Sequence, residues 1–243
     1  MKKILLKALF ALGFVSSINF TYAQCSLDQV GAPNYSVTSQ FSDMAVAPNG
    51  ILYSFAYNSG VGKFYLHSIA SPSSSWTPVA NISGSTTVKP VVQVSKTGKV
   101  YVVLKDDAAG QVGKVFYESA GSFIQLGAPF SGGNKVSDLS IAFNSLGEEY
   151  VAYTDITNGN RSTVKKWDGT SWISVGTGTV SIGAGYYNSL IIDKTDSPVL
   201  AFQDLNAGNK ISVMKFNGTS WNLSTSVGSS PSNAKLKLGQ NGD

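Results

Sequence analysis

The chain is short of the residues on which most metal and nucleophile chemistry depends. Its 243 residues include one cysteine and one histidine, and charged residues amount to 13%. A lone Cys25 excludes an internal disulfide framework, and with His67 as the only imidazole no Cys/His metal cluster can form. No nucleophile elbow accompanies His67 and no phosphate-binding glycine loop is present, so Ser-His-Asp and nucleotide-binding classes find no support. Beyond the N-terminus there is no long apolar run, so no membrane span is expected in the mature chain. Sustained helical periodicity is absent. So is any alternation of Lys/Arg with aromatics, which a nucleic-acid groove would need.

What is abundant is Gly, with 25 residues, and Ser, with 35, a bias that in a non-repetitive chain would point to disorder. The N-terminus carries Lys2, Lys3 and Lys7, an apolar stretch to about Val15, and Thr21-Tyr22-Ala23 before Gln24. This is the layout of a secretory signal peptide spanning residues 1–23, cleaved after Ala23, and it predicts a secreted or cell-surface product. Gln24, directly before Cys25, does not fit a lipoprotein site. Loss of three lysines leaves fifteen basic against fourteen acidic residues, so the pI of 9.0 says little about partners.

The remainder, residues 24–243, is repetitive. Turn residues recur as Asn49-Gly50, Thr97-Gly98, Leu146-Gly147 and Thr195-Asp196. Tyr53, Tyr101, Tyr150 and Val199 follow them; Asn58, Asp106, Asp155 and Asp204 come next; Trp76, Phe123, Trp172 and Trp221 close the row. The steps are 47 to 49 residues for each series. Within a row the pattern reads as four short strands, for example Leu139–Phe143, Tyr150–Thr154, Ser162–Trp167 and Trp172–Val175, with hairpin signals at Asp168-Gly169 and Asn217-Gly218. Four strands per repeat of this length predict an all-β fold, a β-propeller of four-stranded antiparallel blades. The expected blades are 40–86, 87–133, 134–184 and 185–232. An isolated sandwich would not explain so constant a period. Gln29–Pro33 echoes Gln125–Pro129, and Leu236–Gly242 reads as the start of a further row. Partial blades are therefore expected at both ends (233–243 at the second), as in a piece of a longer propeller.

Rows three and four, with Tyr150-Val151-Ala152-Tyr153-Thr154-Asp155 and Lys166-Trp167-Asp168-Gly169-Thr170-Ser171-Trp172, resemble propeller repeats of secreted bacterial surface proteins of the type IX secretion group. More loosely they are similar to the galactose-oxidase central domain and kelch-like propellers. The resemblance covers about residues 29–242 and implies a propeller displayed outside the cell. It departs from the family patterns in several places. The double glycine of kelch blades, the paired Gly-His and Trp-Asp of WD repeats and the sialidase Asp-box spacing are all missing, and no C-terminal sorting domain is visible, as expected of a truncated piece.

The recurring Asp106, Asp155 and Asp204 are the most pointed site candidates, because they would form an arc on the face that also carries the loops between blades. Asp43, Asp138 and Asn188 would lie toward the channel on the same side. Such oxygens suit sugar hydroxyls or a Ca²⁺ ion, although no bidentate Glu follows at the calcium-loop distance. The competing reading is that each Asp caps its own loop. Trp76, Phe123, Trp172 and Trp221 suit either sugar stacking or packing between blades. Tyr186 and Tyr187, which occur once, suit recognition. The expected function is non-catalytic recognition or adhesion, with carbohydrate or a surface protein as ligand. The alternative is a carbohydrate-active hydrolase or lyase using two face carboxylates drawn from Asp43, Asp106, Asp138 or Asp155.

Overall fold

The computed structural model describes residues 41–71, 74–228, 233 and 235–239. The expected signal peptide, Cys25, the Gln29–Pro33 echo and Gly242 lie outside the described residues. Among those described, there is no helix, and sixteen strands form four separate antiparallel sheets. The first comprises β1 (Phe41–Val46), β2 (Leu52–Asn58), β3 (Lys63–Ile69) and β4 (Thr77–Ser83). The second comprises β5 (Val91–Val94), β6 (Val100–Asp106), β7 (Val112–Ser119) and β8 (Ser122–Gln125). The third is β9 (Val136–Phe143), β10 (Glu149–Asp155), β11 (Arg161–Trp167) and β12 (Trp172–Ser174), and the fourth β13 (Gly185–Ile192), β14 (Pro198–Asp204), β15 (Lys210–Phe216) and β16 (Trp221–Val227). Each sheet is a four-strand meander, and successive sheets touch through their first strands, β1 with β5, β5 with β9 and β9 with β13. The architecture is a β-propeller of about four blades.

The second strand of each blade shows why the blades need one another. Successive side chains of a strand point to opposite faces. In β10, Tyr150 and Ala152 join the core shared with the fourth blade, while Val151 and Tyr153 join the core shared with the second. In β6, Val100, Val102 and Leu104 belong to the core shared with the first blade, and Tyr101 and Val103 to that shared with the third. All nine of these side chains are less than 9% exposed. Each apolar core is thus a junction, built from the trailing face of one sheet and the leading face of the next.

Three of the row-closing aromatics bolt these junctions together. Trp172 Nε1–H donates to the Leu126 carbonyl at 3.1 Å and Trp221 Nε1–H to the Val175 carbonyl at 2.8 Å, each reaching the preceding blade. Phe123, which has no N–H, meets Phe55 edge to face instead, with ring centroids 5.8 Å apart. At the other end of the blade, the turn between first and second strands is rebuilt four times. The N–H of Ala47, Ser95, Asn144 and Asp193 donates to the carbonyl four residues on. In the last three, the side-chain oxygen also caps backbone N–H groups of the same turn. The fourth residue of each turn has φ between 58° and 84°, which explains Gly50, Gly98 and Gly147 and makes Asp196 the tolerated exception.

The first strands of the third and fourth blades begin earlier than the alternation of the sequence predicts, at Val136 and Gly185 instead of Leu139 and Ser189. The register shifts between Ala152 and Thr154 and again between Tyr186 and Ser189. At each β-bulge two residues oppose one, so the inside-outside pattern by which the strand is read breaks off there.

Three substitutions test this account. Trp172→Ala should destabilise the protein by about 3 kcal/mol, whereas Trp221→Phe, which keeps most of the ring and loses the indole N–H bond, should cost about 1 kcal/mol in urea unfolding. The Asp193 carboxyl is raised by burial, but donors from Lys215, Thr195 and the backbone N–H groups of Ser197 and Thr195 outweigh this and hold it at about 2, below its ordinary 3.8. Its contribution is complete above the unfolded-state value and disappears as pH falls through the folded one. Asp193→Asn should therefore lower stability at neutral pH and flatten the acid decline between about pH 4 and pH 2, followed by denaturant titration.

Candidate functional site

The bulges lie at the openings of the inner strands, where the four blades converge. Asp138 and Tyr187 are equivalent residues one repeat apart, and both have left-handed backbones, with φ of 49° and 55°. For an aromatic residue this conformation is strained, and a bulge of this kind re-aims a side chain out of the sheet. The residue one repeat earlier is Lys89, just before β5. A cavity of about 490 Å³ opens here, lined by all three together with Asp43, Ser140, Asn188, Ser189 and Lys235. Tyr187 is 38% exposed.

Hydrogen bonds between successive inner strands fix the wall. Asp43 Oδ2 accepts the Val92 N–H at 3.1 Å, Ser140 Oγ the Leu190 N–H at 3.1 Å, and Ser189 Oγ the Leu236 N–H at 2.8 Å. Leu236 thus occupies, beside the fourth blade, the place that Leu190 occupies beside the third. Asn188 ties the two bulges to each other: its Nδ2 donates to the Asp138 carbonyl at 3.3 Å and to Thr154 Oγ1 at 2.9 Å. Thr154 Oγ1–H in turn donates to the Gly185 carbonyl at 2.7 Å. With the amide oriented this way, Asn188 Oδ1 is buried without a hydrogen-bond partner among the described residues.

The carboxylates of the cavity are not alike. Asp43 is committed to Lys89 Nζ at 2.6 Å as well as to the Val92 N–H. Asp138 accepts Ser137 Oγ–H at 2.9 Å and has no basic partner among the described residues. It keeps lone pairs for a ligand donor. Asp43, Asp138 and Asn188, expected to lie toward the channel on the same side as the recurring carboxylates, all line this cavity. Lys89, Ser140 and Ser189 were not among the candidates, although Lys89 shares the 49-residue spacing with Asp138 and Tyr187.

Asp106, Asp155 and Asp204 sit elsewhere, at the ends of the second strands, and do not line the cavity. Their Oδ1 atoms accept N–H groups of their own loops, from Ala108 and Ala109, from Asn158, and from Asn206 and Ala207. Their Oδ2 atoms accept from Lys114 Nζ, Asn134 Nδ2 and Ser212 Oγ. Asn58 caps the equivalent loop through the Gly60 N–H. Tyr186 pairs with Gln203 in the sheet and does not line the cavity. Among the described residues no three His, Cys, Asp or Glu side chains gather to hold a metal ion. Buried His67 lies in β3, and desolvation lowers its pKa.

No protein-family model matches the chain, and no curated protein matches it. Solved structures match the fold. Exo-β-1,3-galactanase from Phanerochaete chrysosporium, solved with galactose, aligns with a TM-score of 0.54 at 11% identity over 83% of this chain and 52% of its own. The α-L-arabinanase of Penicillium chrysogenum, complexed with arabinobiose, gives 0.54 at 11% identity over 82% and 70%. The lectin of Aleuria aurantia, a six-bladed β-propeller that recognises fucose, gives 0.56 at 17% identity over 76% and 62%. The chain spans between about half and three quarters of the length of the structures it matches. At these identities the likeness is one of fold.

Backbone strain at the bulge generates a test of its own. Tyr187→Asn, which places a residue tolerant of positive φ in the same backbone, should leave stability unchanged or raise it by up to about 1 kcal/mol in urea unfolding. A loss of more than that would mean the ring is held for packing.

Proposed function

We propose that this protein is a secreted, non-catalytic recognition propeller that binds carbohydrate at the channel mouth. The observation that carries the reading is the cavity itself: an exposed ring, Tyr187, held in a strained backbone beside Asp138 on the adjacent blade, a carboxylate without a basic partner among the described residues. An aromatic face takes the apolar side of a pyranose, and carboxylate, amide and hydroxyl groups take its hydroxyls. Secretion rests on the N-terminal segment, with its lysines, apolar stretch and Ala23. Support for carbohydrate as the ligand class comes from fold neighbours that include both a fucose-recognising lectin and glycan-degrading enzymes.

Binding is favoured over hydrolysis by the state of the two cavity carboxylates. Glycoside hydrolysis needs an acid and a base or nucleophile free to face the bond. Asp43 is spent on Lys89 and the Val92 N–H, which leaves Asp138 without a free carboxylate partner in the cavity.

A glycan array followed by calorimetry on the best oligosaccharide tests the reading. Binding should occur without release of shorter products, and both Tyr187→Ala and Asp138→Asn should weaken it about tenfold or more. Cleavage of the oligosaccharide that Asp138→Asn abolishes would replace this reading with the hydrolase. No binding across the array would end it.

A further inference from the structure

The repeat permits a comparison of two junctions residue by residue. Between the second and third blades, Trp167 lies so close to Gly127 that a Cβ on that glycine would come within 2.5 Å of the indole ring. Glu149 accepts the Tyr101 hydroxyl at 2.7 Å, and Tyr117 packs against the same core beneath the Lys99 ammonium. One repeat later, Trp167 is replaced by Phe216, Tyr117 by Lys166, Glu149 by Pro198, Glu148 by Ser197 and Gln125 by Ser174. Four of these changes remove side-chain bulk, and the fifth exchanges a ring for a flexible amine. At Gly176 the nearest ring atom of Phe216 is 3.2 Å from where a Cβ would sit. The space is open: a cleft of about 410 Å³ is lined by Tyr150, Lys166, Ser174, Asp196, Pro198 and Phe216, among others.

We propose that this cleft between the third and fourth blades is a second binding site, and that it takes a single hexopyranose. It is separate from the channel cavity, with which it shares no lining residue. Its apolar wall is Ile173, Pro198 and Phe216, a surface for the C–H face of a sugar ring. Its polar groups are already anchored. Lys166 Nζ is held by Glu148 Oε2 at 2.8 Å, Ser174 Oγ accepts Lys165 Nζ at 3.0 Å, Ser197 Oγ lies 3.1 Å from Thr195 Oγ1, whose own proton goes to Asp193, and the Asp196 carboxylate accepts both the N–H and the hydroxyl of Ser145. Each retains a lone pair or a proton for a ligand hydroxyl, so little ordering is required on binding. The junctions differ in this respect because the larger residues of the earlier one fill the space from within.

The test uses methyl galactopyranoside as the probe and backbone amide resonances as the reporter. In the unaltered protein, titration should shift Gly176 and Ser197, which report the cleft, and separately Asn188 and Ser189, which report the channel. Phe216→Trp copies the preceding junction and closes the cleft. It should abolish the Gly176 and Ser197 shifts and leave the channel shifts in place, and Ser174→Gln, which also copies that junction, should weaken the cleft shifts. Tyr187→Ala should do the reverse, sparing the cleft. Cleft amides that do not move at saturating probe, or that move equally in Phe216→Trp, overturn the second site. Cleft shifts produced by indole and not by the glycoside overturn the sugar assignment. Cleft shifts without channel shifts uphold the second site and remove the first.

Discussion

Everything in this fold follows from the need to cover both faces of a thin sheet. A four-stranded blade with five to eight residues in most strands cannot enclose a core by itself, because alternate side chains leave on opposite sides. The protein meets this requirement by giving each interior blade two half-cores. Val151 and Ala152 are neighbours in sequence, both fully buried, yet they belong to different junctions. The stability of any blade therefore resides mostly in its neighbours. The indole bonds of Trp172 and Trp221 add direction to that packing by latching each blade to the backbone of the one before.

The parts visible in the amino-acid sequence are those written in period-two alternation and in turn chemistry. Gly50, Gly98 and Gly147 mark a turn whose backbone demands positive φ, and Asp193 to Asp196 repeats it with an aspartate at the position of the glycine. Asp106, Asp155 and Asp204 were conspicuous for the same reason that their oxygens are engaged in every blade: a loop that recurs needs a cap that recurs. The bulges were hidden because two residues facing one destroy the alternation by which strands are recognised, and Asp138 and Tyr187 stand where that signal lapses. Lys89 was hidden because the neighbouring Pro90 reads as the end of a segment. The cleft was hidden because Trp167 and Phe216 look interchangeable by chemical type, and only their contact with glycine on the facing blade shows the difference in size.

The two cavities are made by opposite means. At the channel mouth the backbone departs from regular geometry in the third and fourth blades, and the departure places a carboxylate and a phenol at the positions equivalent to Lys89. At the third junction the difference from the preceding one is in the side chains, which shrink. Substitutions at the channel therefore trade stability against chemistry, while substitutions of the cleft's apolar wall trade packing against space.

The way each core is divided has a consequence for how such a molecule lengthens. Because a unit of 49 residues carries the trailing half of one junction and the leading half of another, tandem duplication of the unit supplies a matched pair of surfaces at once. Copies need no new partner to be soluble, only the old one again. Gene duplication can thus proceed first and divergence later, with positions 89, 138 and 187 free to drift while the halves that meet keep their fit.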